Sequence, residues 1–231
     1  VRDVLDEKKV LFIGCNEELT AFVRSRLSQY PKIDVFTYAE LMRNLLGDLY
    51  DELPTNPDGN KSCFEYMDDV PAEKKYDSII VDEAQDFDID MGLAIRSLML
   101  DDSTSSLYVF YDKNQNVFEM DFENAFAIDA PPYVLRYNIR NTGSIYQCAV
   151  ERTNLGRDTV ANNIVGVHPE IHNYTKPSQA VKALSLIVNR LVQKEYVPSE
   201  SIVIVSDSPY ENSILAGETR IGAYNLVFKH Y

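Results

Sequence analysis

The sequence predicts an α/β protein built on a parallel sheet with helices on both faces. Three observations predict it. Short aliphatic and aromatic runs recur at residues 10–14, 34–38, 78–82, 107–111 and 133–137. Stretches with apolar residues at helical spacing lie between them. Polar residues close three of the runs, at Asp82, Asp112 and Asn138. Strands that alternate with helices in this way pair in parallel through right-handed crossovers.

Residues 1–9 read as the end of a helix, and 10–14 as a strand of the sheet interior. A helix follows over 17–30, with Leu19, Phe22, Val23 and Leu27 on one face, and Pro31 ends it. Residues 34–38 give the second strand and 39–50 the second helix. From 51 to 75 the pattern breaks at Pro54, Pro57, Gly59, Asn60 and Pro71, which reads as a surface insertion. The strand 78–82 leads to a helix over 89–100 with Met91, Ala94, Ile95 and Leu98 inward. A polar turn at 101–106 precedes the strand 107–111, and Pro131 and Pro132 precede the strand 133–137.

The first domain therefore spans 1–140 and a second unit 141–231. The second unit reads as a helix over 142–153, a loop over 155–168 and a strand at 171–174. A long helix over 178–195 follows, with Val181, Leu184, Ile187, Val188 and Leu191 on one face. A strand at 201–205, a short helix at 209–216 and a strand at 224–228 complete it. These strands are too few for a finished sheet.

Composition narrows the class. With 231 residues, 45% hydrophobic and 25% charged, the chain suits one large or two small soluble domains. No apolar run approaches a membrane span, and residues 1–9 are no secretory signal. Cys15, Cys63 and Cys148 are odd in number and far apart. They suggest neither disulfides nor zinc, and fit a reducing, cytoplasmic setting with Cys15 as a small buried residue. The net charge of −14 argues against a generic nucleic-acid coat and leaves room for a narrow groove that grips one strand.

The chemistry centres on residues 76–90. Ile79, Ile80 and Val81 run directly into Asp82, Glu83 and Asp86. Acids at the C-terminal end of a parallel strand sit where open α/β sheets place their ligands. One such carboxylate can hold Mg²⁺ on a phosphate while its neighbour orients and deprotonates water. That is the Walker B half of a nucleoside triphosphatase site. A lone Asp-Glu pair is more often a solvated turn; the step from three aliphatics into five polar-rich positions favours the functional reading. Asp112 to Gln115 and Asn138 to Arg140 end two further strands. Together the three segments supply a metal ligand, a water-activating acid, an amide and a guanidinium, the parts used in phosphoryl transfer. Taken singly, Gln115 reads as a turn residue and Arg140 as a surface ion pair.

These segments resemble the motifs of the UvrD/Rep-like superfamily 1 DNA helicases. The family's Asp-Glu-x-Gln-Asp is matched by Asp82 to Asp86, and its Asp-x-x-Gln-x-x-aromatic by Asp112, Gln115 and Phe118. Leu-x-x-Asn-Tyr-Arg-Ser/Asn is matched by Leu135, Asn138, Arg140 and Asn141, with Ile139 in place of the aromatic. The early strand-contacting motifs are similar to residues 10–16 with Leu19 and Leu27, and to 36–38 with Leu41. The resemblance covers most of the chain. It implies a RecA-like (P-loop NTPase) fold and part of a second RecA-like unit. It also implies ATP and Mg²⁺ as cofactors, and single-stranded DNA, with RNA as an alternative, as partner. In the implied roles Asp82 holds Mg²⁺, Glu83 is the general base, Gln115 senses the γ-phosphate and Arg140 stabilises its charge. Asn16, Thr37, Tyr38 and Phe118 face the single strand.

The sequence also departs from the family. Gly-x-x-x-x-Gly-Lys-Ser/Thr is missing, and none of the nine glycines is followed by Lys. The family's fifth and sixth motifs are absent too, and Met120 stands near the place of a base-stacking aromatic. The expectation is a central piece of a longer helicase that needs its N- and C-terminal parts and is inactive alone. Two alternatives stand beside it. One is a natural binding module that has lost the phosphate loop. The other, ranked last, is a metal-dependent nuclease or hydrolase using Asp82, Glu83, Asp86, Asp88 and Asp90. His168, His172 and His230 show no ligand spacing to support it.

Overall fold

The computed structural model describes residues 8–56, 59–101, 103–116, 119–153, 159–206 and 208–227. The expected helix end before residue 9 lies mostly outside the described residues. The chain divides into two units, Val1–Arg136 and Tyr137–Tyr231, so the boundary falls a few residues before the expected one.

The first unit is an α/β layer structure on a four-stranded, all-parallel sheet flanked by helices. Its strands are β1 (Val10–Gly14), β2 (Ile33–Thr37), β3 (Ser78–Val81) and β4 (Ser106–Val109), in the order β2-β1-β3-β4. The register sets Gly14 beside Thr37, Ile13 beside Val81, and Val81 beside Val109. All four strands therefore finish on one rim. Leu11, Ile13, Ile79 and Val81 lie side by side on one face of the sheet and are buried in a single core cluster.

The helices follow their local signals. Helix α1 (Glu17–Leu27) is capped by the Asn16 side chain, which accepts from the Leu19 amide at 2.8 Å. Its first turn is acidic and its last turn basic, in line with the helix dipole. Helix α2 (Tyr38–Leu46) opens with a capping box: Glu40 N donates to Thr37 Oγ1 and Thr37 N donates to Glu40 Oε2. The single helix expected over 39–50 is broken at Gly47, whose φ of 60° is left-handed, and α3 (Asp48–Glu52) follows. Helix α4 (Ile89–Arg96) buries Met91, Ala94 and Ile95. Its Gly92 packs against α5 (Phe122–Ala125), where a Cβ would come 2.5 Å from that of Ala125.

The region 51–75 is more than a surface insertion. Leu53, Cys63, Met67 and Val70 are buried in the main core. Two carboxylates of the Asp88–Asp90 turn tie it down. Asp88 is only 7% exposed and accepts from Asn56 Nδ2 (3.0 Å), Asn60 Nδ2 (2.9 Å) and the Met91 amide (2.8 Å). Asp90 accepts from Ser62 Oγ and the Cys63 amide. The prolines hid this, because the signal is long-range. Asp88→Ala removes a helix cap and leaves two side-chain amides without their acceptor. The expected loss is about 2–4 kcal/mol in denaturant unfolding, with earlier proteolysis within 55–64. A loss below about 1 kcal/mol would show that this tie contributes little.

The expected strand at 133–137 does not join this sheet. Residues 131–136 form no strand, Tyr133 is 92% exposed, and Pro131 and Pro132 bring no N–H to a ladder.

The second unit holds β5 (Tyr137–Asn138) parallel to β6 (Val160–Ala161), and α6 (Gly143–Thr153). It also holds α7 (Pro177–Gln193) and the antiparallel pair β7 (Arg220–Ile221) and β8 (Tyr224–Asn225). A small core joins Val188, Leu215 and Ile221, with Ile202 and Ile204 against it. The strands expected at 171–174 and 201–205 do not form ladders. Val203 and Val205 stay 73% and 87% exposed, and no described strand lies beside them. The helix expected at 209–216 shortens to a single turn, Tyr210–Asn212.

Candidate functional site

The rim at the C-terminal ends of the four strands carries Asn16, Thr37, Asp82, Glu83 and Asp112 within a few residues of strand ends. Asp82 leaves β3 with its amide donating to Ile13 O of β1 at 2.9 Å. Glu83 then takes a left-handed conformation, φ 51° and ψ 50°. A non-glycine residue there is strained, and such strain concentrates at functional turns. The turn is secured on several sides. The Glu83 amide donates to Asp82 Oδ1 at 3.1 Å, and the Ala84 amide to Phe110 O at 2.9 Å. A single 3₁₀ turn, Ala84–Asp86, follows, and Phe87 then enters the core between Tyr38 and Phe126 in edge-to-face contacts.

Gln85 is the residue whose role the sequence did not single out. It is 2% exposed. Its Nε2 donates to Glu83 Oε2 at 2.6 Å, and its Oε1 accepts from the Asp112 amide at 3.0 Å. Asp112 in turn holds its own loop. Its Oδ1 accepts from the Asn114 amide, and its Oδ2 from Gln115 Nε2 at 2.9 Å. The described rim therefore runs Glu83, Gln85, Asp112, Gln115 as one hydrogen-bonded chain. A buried amide in a strand-end turn was the available signal.

Asp86 is half-buried. Burial, and next the Glu83 carboxylate, push its acid above the usual carboxylate range. An acid raised on folding makes the native state bind more protons, so its unfavourable contribution grows as pH rises past the unfolded value near 4. Asp86→Asn is therefore expected to raise the thermal midpoint at pH 7 by roughly 1–3 °C. The difference should close below about pH 3. A gap that widens on acidification would contradict this environment.

Cys15, beside this turn, donates its thiol to Asp86 O at 3.9 Å. Burial, with Asp86 and Asp88 nearby, pushes that thiol up to about 12. It stays protonated at neutral pH and is no nucleophile.

The other expected site residues are distributed unevenly. Asn16 and Thr37 lie on the same rim and act as helix caps. Tyr38 is 5% exposed, with its ring in the core and burial and Cys63 raising its hydroxyl well above the ordinary value. Gln115 is exposed and folded back on Asp112. Arg140 is exposed and belongs to the second unit, as does Asn138, whose Oδ1 accepts from the Asn141 amide. The rim of the first sheet thus gathers Asp82, Glu83 and Asp112, and does not include Asn138. Phe118 lies outside the described residues.

No family model matches the chain, and no curated protein matches it.

The acidic rim fits the metal and water half of a triphosphate site: two half-buried carboxylates follow one strand. Carboxylates suit a hard cation that keeps most of its waters. The residues do not supply a backbone cradle for phosphates, as the missing Gly-Lys pair already implies. Among the described residues no three His, Cys, Asp or Glu side chains gather as a metal cluster. A surface hollow lined by Lys9, Lys32, Asp34 and Asp77 lies at the opposite end of the sheet, away from this chemistry. Among the described residues no helix is long and apolar enough to cross a membrane.

Proposed function

We propose that these residues are the central part of an ATP-dependent superfamily 1 helicase or translocase. The observation that carries the reading is the β3 turn, where Asp82 is followed by a strained Glu83 whose carboxylate accepts from Gln85, itself accepting from the Asp112 amide beyond β4. Asp82 is the proposed ligand for Mg²⁺. Glu83 is the proposed base that takes the proton of the attacking water. Gln115 is the proposed γ-phosphate sensor, and Arg140 the guanidinium that stabilises developing charge. ATP with Mg²⁺ supplies the transferable phosphoryl group and its charge neutralisation. Asn16 and Thr37, on the same rim, are proposed to face the nucleic-acid strand.

The proposed position of the phosphate cradle follows from the strand order. β3 is flanked by β1 and β4, so the nearest strand position to Asp82 with no described occupant is beyond β4. β4 reads as an interior strand, yet Tyr108 and Phe110 are about half exposed. A phosphate-loop strand from a longer polypeptide is proposed to lie there, which would put its loop on the rim of Asp82.

The test uses that longer polypeptide, joined to its phosphate loop, and follows equilibrium nucleotide binding and single-turnover hydrolysis. Asp82→Asn is expected to weaken metal-nucleotide binding, because a neutral amide is a poor ligand for Mg²⁺. Arg140→Ala is expected to spare binding and slow hydrolysis. Equal loss of both properties in both variants, or no change in either, refutes the assigned roles. The 231-residue chain alone is expected to show no strand-stimulated hydrolysis.

A further inference from the structure

We infer that Gln85 is a positioning residue that fixes the Glu83 carboxylate to the β4 turn and couples it to Gln115; the catalytic part of this inference rests on the function proposed above. Three observations converge. Gln85 is 2% exposed, and both ends of its amide are engaged. One end meets a side chain in the left-handed turn, and the other meets the backbone of a different strand end. Asp112, whose amide Gln85 accepts, uses its own carboxylate to hold Gln115. The Glu83 side chain is thus tied, through two intermediates, to the proposed phosphate sensor. An isolated Glu in a tight turn has free χ angles; this one takes a short bond from a donor that cannot itself rotate away without losing Asp112. A movement of the 112–115 loop is therefore transmitted to the base.

Two substitutions separate the two halves of the link. Gln85→Glu keeps an acceptor for the Asp112 amide and removes the donor to Glu83. Gln85→Leu removes both. In the 231-residue chain, amide hydrogen exchange at Asp112 is expected to accelerate about tenfold in Gln85→Leu, the effect of losing one hydrogen bond. It should stay near the unmodified rate in Gln85→Glu, with the amides of β1 and β3 unchanged in both. Unchanged exchange at Asp112 in Gln85→Leu overturns the inference, whatever the protein's activity. If Gln85→Leu does not fold, Gln85→Asn takes its place: a shorter amide cannot span Glu83 and Asp112 together, and Asp112 exchange is read in the same way.

In the longer polypeptide, Gln85→Glu is expected to lower kcat by roughly 10–100-fold with nucleotide Kd within twofold, a misplaced base rather than a lost ligand. In a double-mutant cycle with Gln115→Ala the losses should be less than additive. Full additivity overturns the coupling. Altered exchange at Asp112 together with an inactive unmodified parent keeps the positioning role and rejects the helicase reading.

Discussion

Glu83→Gln, in the longer polypeptide, is expected to lower single-turnover ATP hydrolysis by about 10²–10⁴-fold, the usual cost of removing a general base. Nucleotide binding should be retained. Gln preserves the shape of the side chain and can still orient a water, but it cannot take the proton, so the loss falls on the chemical step. The local frame should survive the change. The left-handed turn is held by backbone amides, Glu83 N donating to the Asp82 side-chain Oδ1, Ala84 N to Phe110 O and Asp86 N to Glu83 O. The Gln85 amide can also donate to the oxygen of the new amide. A variant that hydrolyses at the unmodified rate would return Asp82 and Glu83 to the reading of a solvated acidic turn. A variant that loses nucleotide binding in proportion would make Glu83 a binding residue instead.

Phe87→Ala is expected to cost the most stability of any change near the rim, about 3–5 kcal/mol in denaturant unfolding. Phe87 is fully buried. Its ring centroid lies 6.4 Å from that of Tyr38 and 5.9 Å from that of Phe126, at interplanar angles of 88° and 71°. Truncation opens a cavity where the β3 turn, α2 and the segment after α5 meet, and none of these backbones can close it without moving a strand end. Phe87→Leu, which fills most of the space, is expected to cost about 1–2 kcal/mol. Because Phe87 directly follows the Ala84–Asp86 turn, catalysis should fall as well in Phe87→Ala. A cost below about 1 kcal/mol would mean that the turn is not anchored in the core.

The first sheet was legible because its strands are short aliphatic and aromatic runs, and those at its centre, β1 and β3, are largely buried. Val10–Gly14 and Ser78–Val81 need no distant information to read as interior strands. The position of Asp82 and Glu83 at the strand end was legible for the same reason: an abrupt end to an aliphatic run marks the rim. What was not legible depends on partners far along the chain. The 51–75 region looks like a loop until Asp88 and Asp90 are seen to collect the side chains of Asn56, Asn60 and Ser62. Residues 201–205 have strand composition, but composition does not provide a neighbouring strand, and half of their apolar side chains remain exposed. Gln85 lay inside a recognised motif, yet its two bonds exist only once β3 and β4 are adjacent. Thr37 and Asn16 carry capping signals strong enough to explain their presence without any ligand, and Tyr38 is accounted for by the core.

The most direct test of the central claim is ATP hydrolysis by the longer polypeptide, measured with and without single-stranded DNA or RNA in the presence of Mg²⁺. The account predicts hydrolysis that the single strand stimulates and that chelation of Mg²⁺ abolishes. A correctly folded protein that carries a phosphate loop and binds the strand, yet hydrolyses no ATP with or without it, would contradict the account.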